Sequence, residues 1–181
     1  MKRIAVIFAE GFEEVEALTV VDLLRRAGFG CDMLSLADTD TVSGAHGIRV
    51  SMDGGFAQAD FAACDGIVLP GGMPGTLHLA DDARLLRLLQ DFFASGRLTA
   101  AICAAPTVLA KAGILKGKKA VCYPGMEDEL TGALPCSGPV AVDGTVITGR
   151  GVGTAIPFAL ALVSYFSGEE AAAELSRSIV F

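Results

Sequence analysis

Cys103 stands where covalent chemistry is easiest to build. It ends the apolar run Leu98–Ile102, and Pro106 follows at a spacing that suits the first turn of a helix. A cysteine at such a strand-to-helix corner faces the partial positive charge of the helix N-terminus, which favours thiolate over thiol. Ala101 and Ala105 leave the room that a sharp nucleophile elbow needs, although the G-x-S-x-G form is absent. Packing of a buried cysteine at a strand end accounts for the same pattern, because free cysteine is among the most buried residue types.

The second chemical element is the acidic stretch Glu10, Glu13, Glu14 and Glu16. Carboxylates in a first helical turn complement the helix dipole and its exposed N–H groups, and this explains Glu13 and Glu14. Glu16 is different. At about 100° per residue, Asp22, Arg25 and Arg26 mark a polar side, while Glu16 falls with Val20, Leu23 and Ala27 on the apolar side. Burial there raises the carboxyl's pKa and makes it a proton donor or shuttle. The third element is Val68-Leu69-Pro70-Gly71-Gly72-Met73-Pro74-Gly75, which lacks the lysine of a P-loop and the G-x-G-x-x-G spacing. Its adjacent glycines can aim backbone N–H groups at an oxyanion, or simply form a tight turn.

These corners need a scaffold that brings them together. Arg3–Phe8, Cys31–Ala37, Gly66–Leu69, Leu98–Ile102 and Ala120–Tyr123 read as strands. Glu13–Ala27, Asp81–Ala94, Pro106–Ala112 and a nearly all-apolar Thr154–Phe166 read as helices. Apolar strands alternating with helices predict an α/β fold, a mostly parallel, doubly wound sheet covered on both faces. Thr41–Met52 and Val140–Thr148 read as β-hairpins, the latter around Asp143-Gly144. In such sheets ligands bind outside the carboxyl ends of the strands, where all three corners lie. Thr148–Thr154 reads as a turn into the last helix, with Thr154 as its N-cap.

Composition narrows the function. With 181 residues and 52% apolar against 19% charged, the chain can bury a sizeable core, and one domain over residues 1–181 is expected. A net charge of −7, with no basic run longer than a pair, disfavours nucleic acid and anionic membrane surfaces. The short apolar run after Met1 is not a signal peptide, so a cytoplasmic location is expected. Five scattered cysteines read as reduced thiols, and two histidines, His46 and His78, without paired spacing give no metal site. His78 is expected at the surface.

Jointly, G-F-E-E-x-E at 11–16, V-L-P-G-G at 68–72, A-A-I-C-A-A-P at 100–106 and T-G-R-G-x-G-T at 148–154 resemble the ThiJ/PfpI family, of class I glutamine amidotransferase-like proteins, in its Parkinsonism-associated deglycase branch. The resemblance implies a flavodoxin-like fold, a homodimer and no cofactor. It also implies Cys103 as nucleophile and a protonated Glu16 as acid–base, with the Gly71, Gly72 and Ala104 N–H groups around an oxyanion. Many members carry a histidine near the cysteine where this chain has Tyr123 in its pocket, which argues against a Cys-His protease. Arg26, with His46 in place of a family arginine, would supply an anion site. The implied activity is glyoxalase- or deglycase-like, on a reactive small-molecule dicarbonyl or its adducts on side chains. The alternative is a redox-sensing or chaperone-like protein whose elbow cysteine is oxidised to sulfinate.

Overall fold

The computed structural model describes residues 1–134 and 136–181. Its centre is a seven-stranded sheet of β1 (Arg3–Phe8), β2 (Gly30–Ser35), β5 (Gly54–Gly55), β6 (Gly66–Leu69), β7 (Leu98–Ile102), β8 (Val140–Asp143) and β9 (Val146–Gly149), in the order β5-β2-β1-β6-β7-β9-β8. All neighbours are parallel except β8 and β9, which form the expected hairpin. The other hairpin, β3 (Thr41–Ser43) with β4 (Arg49–Ser51), stands apart as a two-stranded sheet.

The alternation of β1 explains the two layers. Ile4, Val6 and Phe8 point into one core, which is closed by α1 (Glu14–Arg26) and α5 (Ala155–Ser167). Ala5 and Ile7 point into the other, closed by α3 (Ala83–Ala94) and α4 (Pro106–Lys111). A strand buried on both sides has to be apolar throughout, as RIAVIF is after its first residue. This is the α/β, doubly wound architecture expected from the alternating pattern, and the flavodoxin-like fold that the family resemblance implies. Among the described residues no helix is long and apolar enough to cross a membrane.

Three expectations are corrected. Ala120–Tyr123 forms no strand: both edges of β9 are already taken, by β7 and β8. The segment is instead held by side-chain oxygens. Val121 N–H donates to Thr148 Oγ1 at 2.9 Å, and the preceding Lys119 N–H to the Asp143 carboxylate at 2.9 Å. The helix expected over Asp81–Ala94 is α3, which starts only at Ala83, where Asp82 caps it by accepting from Arg84 N at 2.8 Å and Leu85 N at 3.1 Å; a separate helix, α2 (Gly75–Asp81), ends just before the cap. A further helix, α6 (Glu169–Ser178), follows Gly168, whose φ of +87° ends α5. Only Ala172 and Leu175 of α6 are buried, too thin an apolar stripe to stand out in the sequence.

Candidate active site

The order β1-β6-β7 brings three loops side by side at the carboxyl ends of adjacent strands. Cys103 follows β7 and has φ +66°, a left-handed conformation that is uncommon for a residue with a side chain. The turn is held from both sides: Cys103 N–H donates to Gly149 O at 2.9 Å, and Tyr123 N–H donates to Cys103 O at 2.7 Å. The sharp elbow expected at Cys103 is thus present, with Ala104 and Ala105 buried behind it.

Glu16 lies in the first turns of α1 and is completely buried. Glu13 caps that helix, its carboxylate accepting from Glu16 N at 2.7 Å. Glu16 Oε2 accepts from Gly71 N at 3.0 Å, whereas Oε1 has no hydrogen-bond partner among the described residues. The Gly71 N–H is therefore committed to Glu16 and is not free for an oxyanion, which corrects the expected three-donor arrangement. The Gly72 and Ala104 N–H groups face the Cys103 sulfur and favour its anion. Gly71 has no room for a side chain: a Cβ would lie 2.6 Å from Cys103 Cβ, 2.7 Å from Glu16 Oε2 and 2.9 Å from Ile102 O. This glycine lets the acid and the thiol approach one another.

Burial pushes the Glu16 carboxyl up to about 7. Burial and the neighbouring Glu16 charge push the Cys103 thiol up to about 12. The reading from sequence counted the helix N-terminus; burial and the adjacent carboxylate act against it. The two groups titrate as one system. When Glu16 keeps its proton the like-charge repulsion disappears and the two N–H groups remain, so the thiolate is less disfavoured than beside an ionised Glu16, although burial still opposes it.

The other expected residues are spread more widely. The Tyr123 ring lies beside Gly151, next to Cys103 and Glu16, with the residue half exposed. Arg26 is not brought to this site: it pairs with Asp22 at 2.6 Å on the exposed end of α1, ten residues beyond Glu16 or about 15 Å along the helix. His46 belongs to the β3–β4 hairpin, where its Nδ1 is 2.8 Å from Glu14 Oε2 and its N–H donates to Glu14 Oε1 at 2.7 Å. Glu14 also accepts from Ile48 N at 3.4 Å, so this buried carboxylate latches the hairpin to α1 and does more than complement the helix dipole. Hydrogen bonding to His46 and to backbone N–H groups outweighs burial and holds Glu14 below the usual carboxylate range, while Glu14 raises His46 above the usual imidazole value. Glu13, Glu14 and His46 bring donor atoms within 4.8 Å of one another, but the Glu14 oxygens and Glu13 Oε2 are already occupied by these hydrogen bonds. His78 is exposed on α2, its Nδ1 3.1 Å from Glu10 O.

Sequence reasoning missed Gly151. It is buried against Tyr123, Glu16 and Cys103, and the only sign of it was its place in a glycine-rich turn.

The profile of the DJ-1/PfpI family matches residues 2–165. The chain is 35% identical over 181 residues to Protein DJ-1 homolog B of Arabidopsis thaliana, covering 99% of this chain and 41% of that longer protein. It is 34% identical over 163 residues to the glutathione-independent glyoxalase DJR-1.2 of Caenorhabditis elegans, covering 89% of this chain and 86% of the relative. The solved structure of oxidised Toxoplasma gondii DJ-1 superposes with a TM-score of 0.96 at 35% identity, covering 100% of this chain and 99% of the other. With the family profile spanning most of its length and the fold shared throughout, the chain belongs to the DJ-1/PfpI family.

Proposed function

We propose that the protein is a cofactor-independent, cysteine-dependent enzyme acting on reactive 2-oxoaldehydes, converting methylglyoxal to lactate. The observation that carries this reading is the buried Glu16 carboxyl, held by Gly71 through one oxygen and, among the described residues, without a hydrogen-bond partner at the other, beside the Cys103 sulfur. The relative named as a glutathione-independent glyoxalase supports it.

In this mechanism the Cys103 thiolate adds to the aldehyde carbon of methylglyoxal, forming a C–S bond. The carbonyl oxygen, charged as the bond forms, rests against the Gly72 and Ala104 N–H groups and takes the Glu16 proton. The Glu16 carboxylate then removes the hydrogen from the same carbon. An enediolate results; the neighbouring carbon takes that proton back from Glu16, while the hydroxyl proton on the sulfur-bearing carbon passes to the neighbouring oxygen, giving a lactoyl thioester. Water cleaves the C–S bond, releasing lactate and restoring the thiol, so that methylglyoxal plus water gives lactate with no external oxidant or reductant. Proton transfer of this kind contributes about 10²-fold to 10⁴-fold. The test is lactate formation from methylglyoxal by wild type and by Cys103→Ser. Stoichiometric lactate from wild type alone is expected, and equal turnover by the serine variant would overturn the assignment.

A second reading is favoured by one observation, that the superposable Toxoplasma gondii protein was solved in an oxidised form. Two equivalents of peroxide would take the Cys103 thiol to a sulfinate with release of two waters, and a protonated Glu16 beside the sulfur could donate to it. Mass spectrometry of peroxide-treated wild type and Glu16→Ala separates this from turnover.

A further inference from the structure

Thr148 opens the glycine-rich stretch of residues 148–154, but the turn itself is closed by Thr154, whose Oγ1 accepts from Arg150 N and Gly151 N at 3.1 Å each. Thr148 reaches elsewhere. It is completely buried on β9, and its Oγ1 accepts from Val121 N at 2.9 Å, 27 residues away in the chain. The segment it holds leads to the thiol. Alternate N–H groups of residues 119, 121 and 123 donate in turn to the Asp143 carboxylate at 2.9 Å, to Thr148 Oγ1 and to Cys103 O at 2.7 Å. Cys103 needs such support, because a φ of +66° persists in a residue with a side chain only where the surroundings impose it. One supporting bond, from Cys103 N to Gly149 O at 2.9 Å, continues the pairing of β7 with β9. The other comes from Tyr123 N, and Tyr123 belongs to no strand. Its nearest preceding anchor among the described residues is the Val121 N–H on Thr148.

We infer that Thr148 is a positioning residue: its hydroxyl oxygen fixes Val121, through it the Tyr123 N–H that holds the Cys103 carbonyl, and so the turn that aims the sulfur at the Gly72 and Ala104 N–H groups. Its part in turnover rests on the enzymatic reading above, whereas its effect on the thiol does not. Val121 is buried, and a buried N–H that loses its acceptor is costly to leave unpaired. The segment therefore shifts when the Thr148 oxygen is removed, and Tyr123 shifts with it.

The test compares Thr148→Val, which keeps the branched shape and removes the acceptor, with Thr148→Ser, which keeps the acceptor. Alkylation of Cys103 by iodoacetamide at pH 7, followed by mass spectrometry on folded protein, should slow about tenfold or more in Thr148→Val, as expected when an anion loses a hydrogen bond. Thr148→Ser should stay within about threefold of wild type. By NMR, the Tyr123 amide proton should move upfield in Thr148→Val, as its bond to Cys103 O lengthens, and keep its place in Thr148→Ser. A merely structural threonine would lower the melting temperature and leave both readouts of the folded protein unchanged. The inference is overturned if folded Thr148→Val alkylates within about twofold of wild type or keeps the Tyr123 resonance, and equally if Thr148→Ser is as impaired as Thr148→Val. If Thr148→Val does not fold, hydrogen exchange of wild type decides: the Val121 and Tyr123 amides should open together, and protection that differs by more than about tenfold refutes the coupling. Failure of the enzymatic reading shows separately, as no lactate from methylglyoxal with wild type, and leaves these readouts intact. Where lactate forms, kcat/KM should fall with the alkylation rate in Thr148→Val and recover in Thr148→Ser; a wild-type value in Thr148→Val would overturn the inference.

Discussion

Glu16→Gln should change how stability depends on pH by an amount the structure sets. Burial raises the Glu16 carboxyl from the ordinary 4.5 to about 7 in the folded chain. Below about 4.5 the folded and unfolded states both hold this proton, and stability from this source is complete. Between the two values only the unfolded state releases it, so stability falls as pH rises. Above about 7 both states are ionised and the loss is full. At about 1.4 kcal/mol per pH unit, the interval amounts to about 3 kcal/mol. Glutamine keeps the side-chain shape and can still accept from Gly71 N, a bond of 3.0 Å in the parent, but it does not ionise. Urea unfolding of both proteins at pH 4 and pH 8 isolates the effect, because the other titrating groups are shared. The stability difference should shift by about 3 kcal/mol in favour of Glu16→Gln on going to pH 8. A difference that stays constant to within about 0.5 kcal/mol would refute the argument, since a carboxyl that does not titrate in this range cannot exchange protons with a thiol adduct near neutrality.

Gly71→Ala should destabilise the fold by about 1–3 kcal/mol, as overpacking does, and push Cys103 and Glu16 apart; calorimetry together with the alkylation rate of Cys103 checks both effects. The Glu14–His46 latch should stabilise the β3–β4 hairpin most between about pH 4.5 and 6.5. Glu14, lowered in the folded state, loses its contribution as pH falls through its folded value, whereas His46, raised, loses its contribution as pH rises through its own. An NMR titration should place the His46 midpoint above 6.5 and bring it down toward that value in Glu14→Gln. An unchanged midpoint would show that Glu14 is not the cause.

Local chemistry made much of the fold legible. The bounds of β1, β6 and β7 agree with the reading from sequence because each is a short apolar run buried on both faces, bounded by polar or turn-forming residues. Cys103 and Glu16 stood out for related reasons, one as a thiol at the end of a buried strand and the other as a carboxylate on an apolar helix face. Several of the misreadings involve partners distant in sequence. Ala120–Tyr123 has strand composition, and only the arrangement of the finished sheet shows that no edge remains for it. Glu14 looked like a first-turn carboxylate because the hairpin that it holds begins 27 residues later. The use of the Gly71 N–H by Glu16 spans 55 residues, and no turn signature records it.

The loop of residues 9–13 and the loop of residues 70–75 meet backbone to backbone, and this affects how the chain can be altered. Gly75 N–H donates to Gly11 O at 3.2 Å, and Glu13 N–H to Gly71 O at 2.8 Å. A Cβ on Gly75 would lie 2.8 Å from Gly11 C and from Phe12 N, and one on Gly72 would lie 2.6 Å from Gly11 O. Neither loop can be reshaped without colliding with the other, so the pair behaves as a single graft. In recombination between relatives or in library design, a crossover that falls between residues 13 and 70 would separate two surfaces shaped to each other. Crossovers after Gly75 would move the Cys103 elbow while keeping this pair of loops intact. Diversity is easier to introduce at Gly153, where an added side chain meets open space.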